Sequence, residues 1–100
     1  ICQALEDGAR IAGATILHSH YHHFGEGSGV SGVTVLAESH ISIHTWPEVG
    51  YAAIDVFMCG DAKPMDCLAL LQERFNPDTV SAESFRRGRL LPQVRAHRVA

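Results

Sequence analysis

The spacing of hydrophobic positions changes along this chain, and each change marks an element. Over residues 1–12, Ile1, Leu5, Ala9 and Ala12 recur at helical intervals, leaving Glu6, Asp7 and Arg10 to face water. That pattern predicts an amphipathic helix, with Gly13 as its C-terminal stop. Between residues 14 and 24 the period drops to two: Thr15, Leu17, Ser19 and Tyr21 alternate with Ile16, His18, His20 and His22, as in a strand. Gly25, Gly27 and Gly29 make the next stretch a loop. Strand patterning returns over residues 30–38, where Val33 and Val35 share a face with Ala37, and again over residues 40–46. In the latter, Ile41 and Ile43 lie on one face and His40, Ser42, His44 and Trp46 on the other.

Pro47-Glu48-Val49-Gly50 reads as a turn, and residues 51–59 as a further strand closed by Gly60-Asp61. A second helix is predicted over 64–75, with Pro64 in its first turn and Cys67, Leu68, Leu71 and Phe75 as its apolar stripe. Asn76-Pro77-Asp78 ends it, a last strand is expected over 79–85, and the arginine-bearing tail around Pro92 is expected at the surface or poorly ordered. Helix, strands, helix, strand is an α+β order: a two-layer sandwich with an antiparallel sheet and its helices packed on one face. A sheet covered on one side leaves its other face to find a partner.

Composition narrows the functional classes. One hundred residues with 46% apolar content suit one soluble domain, 1–100, with one core. A net charge of -3 without a run of one sign gives no electrostatic case for nucleic acid or an anionic membrane. The arginines at 86, 87, 89, 95 and 98 are scattered and read as solvated or as a subunit contact. No apolar run approaches the roughly 20 residues a bilayer needs, and there is no signal-peptide pattern. Cys2, Cys59 and Cys67 are an odd number without a metal-type pair, which favours a reduced, cytoplasmic setting over a Cys59–Cys67 disulfide.

The chemistry concentrates in Leu36-Ala37-Glu38-Ser39-His40-Ile41-Ser42-Ile43-His44-Thr45-Trp46-Pro47-Glu48, where Glu, Ser, His and Trp crowd strands that need only a core face. Alone, Ser39 is a strand serine, His44 a hydrogen-bonded sheet histidine and Cys59 a small buried hydrophobe. Glu48 alone is a turn residue, and Phe24 and Trp46 are core aromatics. His18, His20 and His22 on one strand face are a conceivable zinc or nickel set, but no carboxylate or thiolate stands at a fitting position beside them. No metal is assigned on that pattern.

Taken together these residues resemble a family. The string Gly29-Val30-Ser31-Gly32, then Ala37 through Glu48, then Gly50-Tyr51-Ala52-Ala53-Ile54-Asp55-Val56-Phe57-Met58-Cys59-Gly60 is similar to the small prokaryotic S-adenosylmethionine decarboxylases, as is the upstream Ser19-His20-Tyr21-His22-His23-Phe24. The resemblance covers roughly residues 10 to 88. It implies a proenzyme that cuts itself at Glu38–Ser39 into a β chain, 1–38, and an α chain, 39–100. The α chain would carry a covalent pyruvoyl group made from Ser39, whose ketone forms a Schiff base with the substrate and accepts the electrons left by carbon dioxide. Neither pyridoxal phosphate nor a metal would be needed. The product would be the aminopropyl donor for spermidine synthesis.

Carried over residue by residue, His44 and Ser31 match the groups that assist cleavage, and Cys59 the proton donor that reprotonates the α-carbon. Glu48 matches the carboxylate on the ribose hydroxyls, and Phe24 and Trp46 match aromatics beside the adenine or sulfonium. The family also implies a homodimer of cleaved protomers with sites at or near the interface. It opens with a strand bearing Gly-x-His-Leu that this sequence lacks, so an N-terminal strand is expected to be missing. Two alternatives stand beside this reading: a pyruvoyl-dependent decarboxylase of ornithine or arginine, and a non-enzymatic histidine-rich metal-binding module.

Overall fold

In the computed structural model, residues 1–85 are described with side chains and residues 86–87 and 96–99 as backbone. The elements are α1 (Cys2–Ile11), β1 (Ile16–His23), β2 (Val30–Leu36), β3 (Ser39–Trp46), a 3-10 turn (Pro47–Val49), β4 (Tyr51–Met58), α2 (Pro64–Phe75), β5 (Ser84–Arg87) and β6 (Ala96–Val99). The strands form one sheet in the order β1-β2-β3-β4-β6-β5, with every neighbouring pair antiparallel. This is the α+β sandwich that the alternation predicts.

Two expectations are corrected at the C-terminal side. Residues 79–83 carry no regular structure, and the strand expected over 79–85 begins at Ser84. The tail, expected without a strand, supplies β6, which pairs with β4 through Val56↔Val99 and Met58↔His97. A strand needs a partner as well as propensity. With β6 on the edge of β4, only residues 84–87 find pairing, against β6 itself. The arginine positions 89 and 95 lie outside the described residues.

Strand alternation decides which side is buried. Leu36, Ile41, Ile43, Val56 and Met58 face the helices and pack with Leu5 and Ala9 of α1 and Cys67 and Leu71 of α2. Val33 and Val35, one residue out of phase with Leu36, face the other way. The alternation in β1 is broken by a bulge between Ile16 and His18. The extra residue, Leu17, is 63% exposed, and the shift brings Ile16 onto the core face with Ser19 and Tyr21. Thr34, the one buried polar side chain among the described residues, is hydrogen-bonded through its hydroxyl to Ser19 and Tyr21, so its burial leaves no group unsatisfied.

The helices meet through Gly8 and Cys67. Burial pushes the Cys67 thiol up to about 12, so it stays protonated and serves as packing volume. At the rim Arg74 Nη2 of α2 stands 2.9 Å from Asp7 Oδ2 of α1, and the Asp7 carboxyl is held below its ordinary value, first by a hydrogen bond from Gln3 and then by Arg74.

A Cβ added at Gly8 would stand 2.8 Å from Cys67 Sγ. Gly8→Ala is therefore expected to destabilise the fold by about 1–3 kcal/mol through overpacking. Adding Cys67→Ala should recover part of that loss. Urea unfolding of both single variants and the double variant checks it, and strictly additive losses would contradict the contact.

Candidate active site

β2 and β3 are joined by a two-residue turn, Ala37-Glu38, closed by the pair Leu36↔Ser39. Sequence patterning extends β2 through residue 38, but the strand stops at Leu36 and Glu38 lies in the turn. Its φ is +67°, a left-handed conformation that a two-residue turn normally gives to Gly or Asn. A Cβ there costs roughly 1–2 kcal/mol. Asn76 is the other non-glycine residue with positive φ among those described, at the ordinary position after a helix. Glu38 has no such excuse, and it is the residue immediately before Ser39.

This turn is held from two sides. Ala37 N donates to Thr15 O at 2.9 Å. Cys59 Sγ donates to the carbonyl oxygen of Glu38 at 3.2 Å. The second contact follows from register: His40 pairs with Phe57, so continuing the ladder by two residues sets Cys59 beside Glu38. Ser39 Oγ donates to Ala37 O at 3.4 Å and is half-buried, on the register of Ile41 and Ile43. The expected cleavage pair, Glu38 and Ser39, and the expected proton donor, Cys59, are thus in one place. The thiol touches the carbonyl of the expected scissile bond.

A second group gathers at the opposite end of the sheet, on the face the helices leave open. Ser31 pairs with His44 across β2 and β3, and Ser31 Oγ lies 2.8 Å from His44 Nδ1. Next along the strand, Trp46 sits 6.3 Å from the His44 ring and stacks on Tyr51 of β4 at 5.3 Å and 28°. Phe24, just past β1, meets the ring of His22 edge-on at 4.7 Å. Glu48 is exposed in the turn after Trp46. Between Phe24 and Trp46 the intervening chain offers only Gly29, whose added Cβ would overlap the carbonyl oxygen of Thr45. Phe24 and Trp46 thus stand on either side of Gly29 in the register of the sheet. Two inter-strand steps separate their chains, roughly 10 Å.

The two groups do not meet within one chain. Five residues of extended strand separate Ser39 from His44, about 16 Å. Sequence spacing brings out both groups but not this distance, because a helix or a tight turn would have brought residues five apart together. Residue counting also passes over Tyr51. Its signal is the closing pair Trp46↔Tyr51 on either side of the Pro47–Val49 turn. His18, His20 and His22 do share the open face, yet among the described residues no three His, Cys, Asp or Glu side chains converge on a metal position. The cysteines are free thiols. A shallow cleft between Ile11, Asp66 and Leu70 lies on the helix layer, remote from both groups.

The sequence pattern of the S-adenosylmethionine decarboxylase family matches residues 1–88. The chain belongs to the S-adenosylmethionine decarboxylase family. It is 47% identical over 91 residues to the S-adenosylmethionine decarboxylase proenzyme of Acidithiobacillus ferrooxidans, which covers 90% of this chain and 68% of that one. To the proenzyme of Pelotomaculum thermopropionicum it is 43% identical over 99 residues, 98% of this chain and 77% of the relative. The crystal structure of the adenosylmethionine decarboxylase from Aquifex aeolicus superposes with a TM-score of 0.72 at 40% identity, over 80% of this chain and 66% of that chain. This chain thus spans about two thirds of the Acidithiobacillus and Aquifex proteins. The family and the names of these relatives support S-adenosylmethionine decarboxylation and favour neither the ornithine or arginine alternative nor the metal-binding one. Among the described residues, no helix is long and apolar enough to cross a membrane.

The backbone at Glu38 gives a direct test. In a Ser39→Ala background, Glu38→Gly removes the Cβ penalty at positive φ while adding some freedom to the unfolded chain. A gain of up to about 1 kcal/mol is expected in urea unfolding. A loss would contradict strain at this residue.

Proposed function

We propose that this chain is a self-cleaving S-adenosylmethionine decarboxylase that cuts its own Glu38–Ser39 bond and carries its electron sink at residue 39. The observation that carries the reading is the Cys59 thiol on the carbonyl oxygen of a turn strained at Glu38. Ser39 Oγ is the nucleophile. Its attack on the Glu38 carbonyl carbon places negative charge on the oxygen that already accepts from Cys59 Sγ, so the thiol acts as an oxyanion donor. The C–N bond then breaks, the hydroxyl proton passes to the freed amine, and an ester joins Glu38 to Ser39 Oγ. Loss of the Ser39 α-proton expels the Glu38 carboxylate and leaves dehydroalanine. Water converts this to a ketone and releases ammonia. The products are a β chain of residues 1–38 and an α chain of residues 39–100.

The pyruvoyl group so formed supplies a carbonyl that binds the substrate amine and accepts the electron pair left by carbon dioxide. Chain residues fit the rest. Cys59 holds a proton beside residue 39, where the α-carbon must be reprotonated. The gap between Phe24 and Trp46 suits a flat base between two ring faces, and the same rings attract a sulfonium cation. Glu48, two residues beyond Trp46, offers a carboxylate to ribose hydroxyls. A basic amino acid has no flat base to fill this gap, so the aromatic pair favours the nucleoside substrate.

His44 and Ser31 are suited to move the protons of cleavage: the Ser31 hydroxyl fixes the ring through Nδ1 and leaves Nε2 for transfer. At about 16 Å along β3, this pair cannot reach Ser39 of its own chain. A second copy laid face to face on the open side, related by a two-fold axis near Ser42, brings the His44 end of one protomer to the Ser39 end of its partner. The homodimer is therefore functional as well as structural: each site takes Glu38, Ser39 and Cys59 from one protomer, and Ser31, His44, Trp46, Glu48 and Phe24 from the other.

Co-expression of differently tagged Ser39→Ala and His44→Ala chains tests this. Each alone should remain largely uncut. In the mixture the His44→Ala chain should be cut, using the histidine of its Ser39→Ala partner, and the Ser39→Ala chain should not. A mixture in which neither chain is cut, although mixed dimers form, would overturn the shared site.

A further inference from the structure

We infer that Tyr51 is a positioning residue for the substrate's base: it holds the indole of Trp46 in place as one wall of the Phe24–Trp46 gap. This rests on the reading of Trp46 given above and adds a residue to it.

Trp46 and Tyr51 are 42% and 58% exposed, so their stacking is not imposed by core burial. It is imposed by register. Trp46 and Tyr51 are directly paired across β3 and β4, and the Pro47–Val49 turn with Gly50 at φ +66° returns the chain between them. The two rings meet at 5.3 Å with an interplanar angle of 28°. Tyr51 lies on the β4 side of Trp46, whereas Gly29 and Phe24 lie on the β2 and β1 side. One face of the indole is therefore covered by tyrosine, and the opposite face is directed toward the Gly29 and Phe24 side. An exposed tryptophan without such a neighbour samples several rotamers and must lose that freedom on binding a base. Tyr51 removes this cost in advance. The same pair closes the turn that carries Glu48, so it also fixes the spacing between the base wall and the ribose carboxylate.

Trp46 is the one tryptophan in the chain, so its fluorescence reports this wall directly. In the cleaved protein, 5′-methylthioadenosine should quench Trp46 emission, and the titration yields its affinity. Tyr51→Leu should lower Trp46 anisotropy and weaken this affinity about five- to tenfold, the scale of one aromatic pair. KM for S-adenosylmethionine should rise by a similar factor and more than kcat falls. Tyr51→Phe keeps the ring and should restore all three readouts. Glu38–Ser39 cleavage reports folding of each variant.

Tyr51→Leu that folds and cleaves but binds 5′-methylthioadenosine as the parent does would overturn the inference. A Trp46→Leu variant separates that result from failure of the underlying reading. If Trp46→Leu raises KM and Tyr51→Leu does not, Tyr51 has no positioning role. If neither changes KM, Trp46 itself is no wall of the base site, and the inference falls with it.

Discussion

The period-two alternation of β2, β3 and β4 is the constraint from which the rest follows. Leu36, Ile41, Ile43, Val56 and Met58 are buried because two helices cover one face of the sheet. A slip of one residue would expose all of them, so the register is fixed by a large apolar term. Once it is fixed, His44, Trp46, Ser31 and Tyr51 have no choice but the open face. The face that carries these four side chains is thus selected by what the other face buries.

The same register sets two ends apart. At one end it carries Cys59 to the carbonyl of Glu38, within a turn whose backbone is already displaced from its preferred region. At the other it aligns Ser31 with His44 and Trp46 with Tyr51. An extended strand is stiff, and its rise of about 3.3 Å per residue converts a short sequence interval into a long distance. In the proposed mechanism that stiffness explains why a second copy is needed: one sheet cannot fold its own ends together. Val33, Val35 and Phe57 on the open face give such a contact apolar surface to bury, beside the Asp55 carboxylate that pairs with Ser42 in register.

Much of this was legible in the residues. The helix over 64–75 and the opposition of Ile41 and Ile43 to His44 and Trp46 follow from periodicity alone, because burial and period are the same fact seen twice. The motif from Ala37 to Glu48 identified the family. Three things were not legible. The β1 bulge at Leu17 shifts a face without any glycine to announce it. The left-handed Glu38 occupies a position whose ordinary residue is glycine, so local preference points away from the true turn. The pairing of β6 with β4 depends on a contact remote in sequence, which local propensity does not encode. Ser39 and His44 both stand out in the motif, but their separation is a property of the strand between them and needs three dimensions.

In the proposed mechanism Ser39 becomes the reactive group of its own chain. Intact mass measurement of the purified protein tests it most directly. Two fragments are expected, residues 1–38 ending in a free carboxylate and residues 39–100 with a blocked N-terminus. The second should be lighter by one ammonia than simple hydrolysis would leave, and treatment with borohydride should add two hydrogens at its ketone. A single uncut chain in active protein, or a second fragment with an ordinary N-terminal serine, would contradict it.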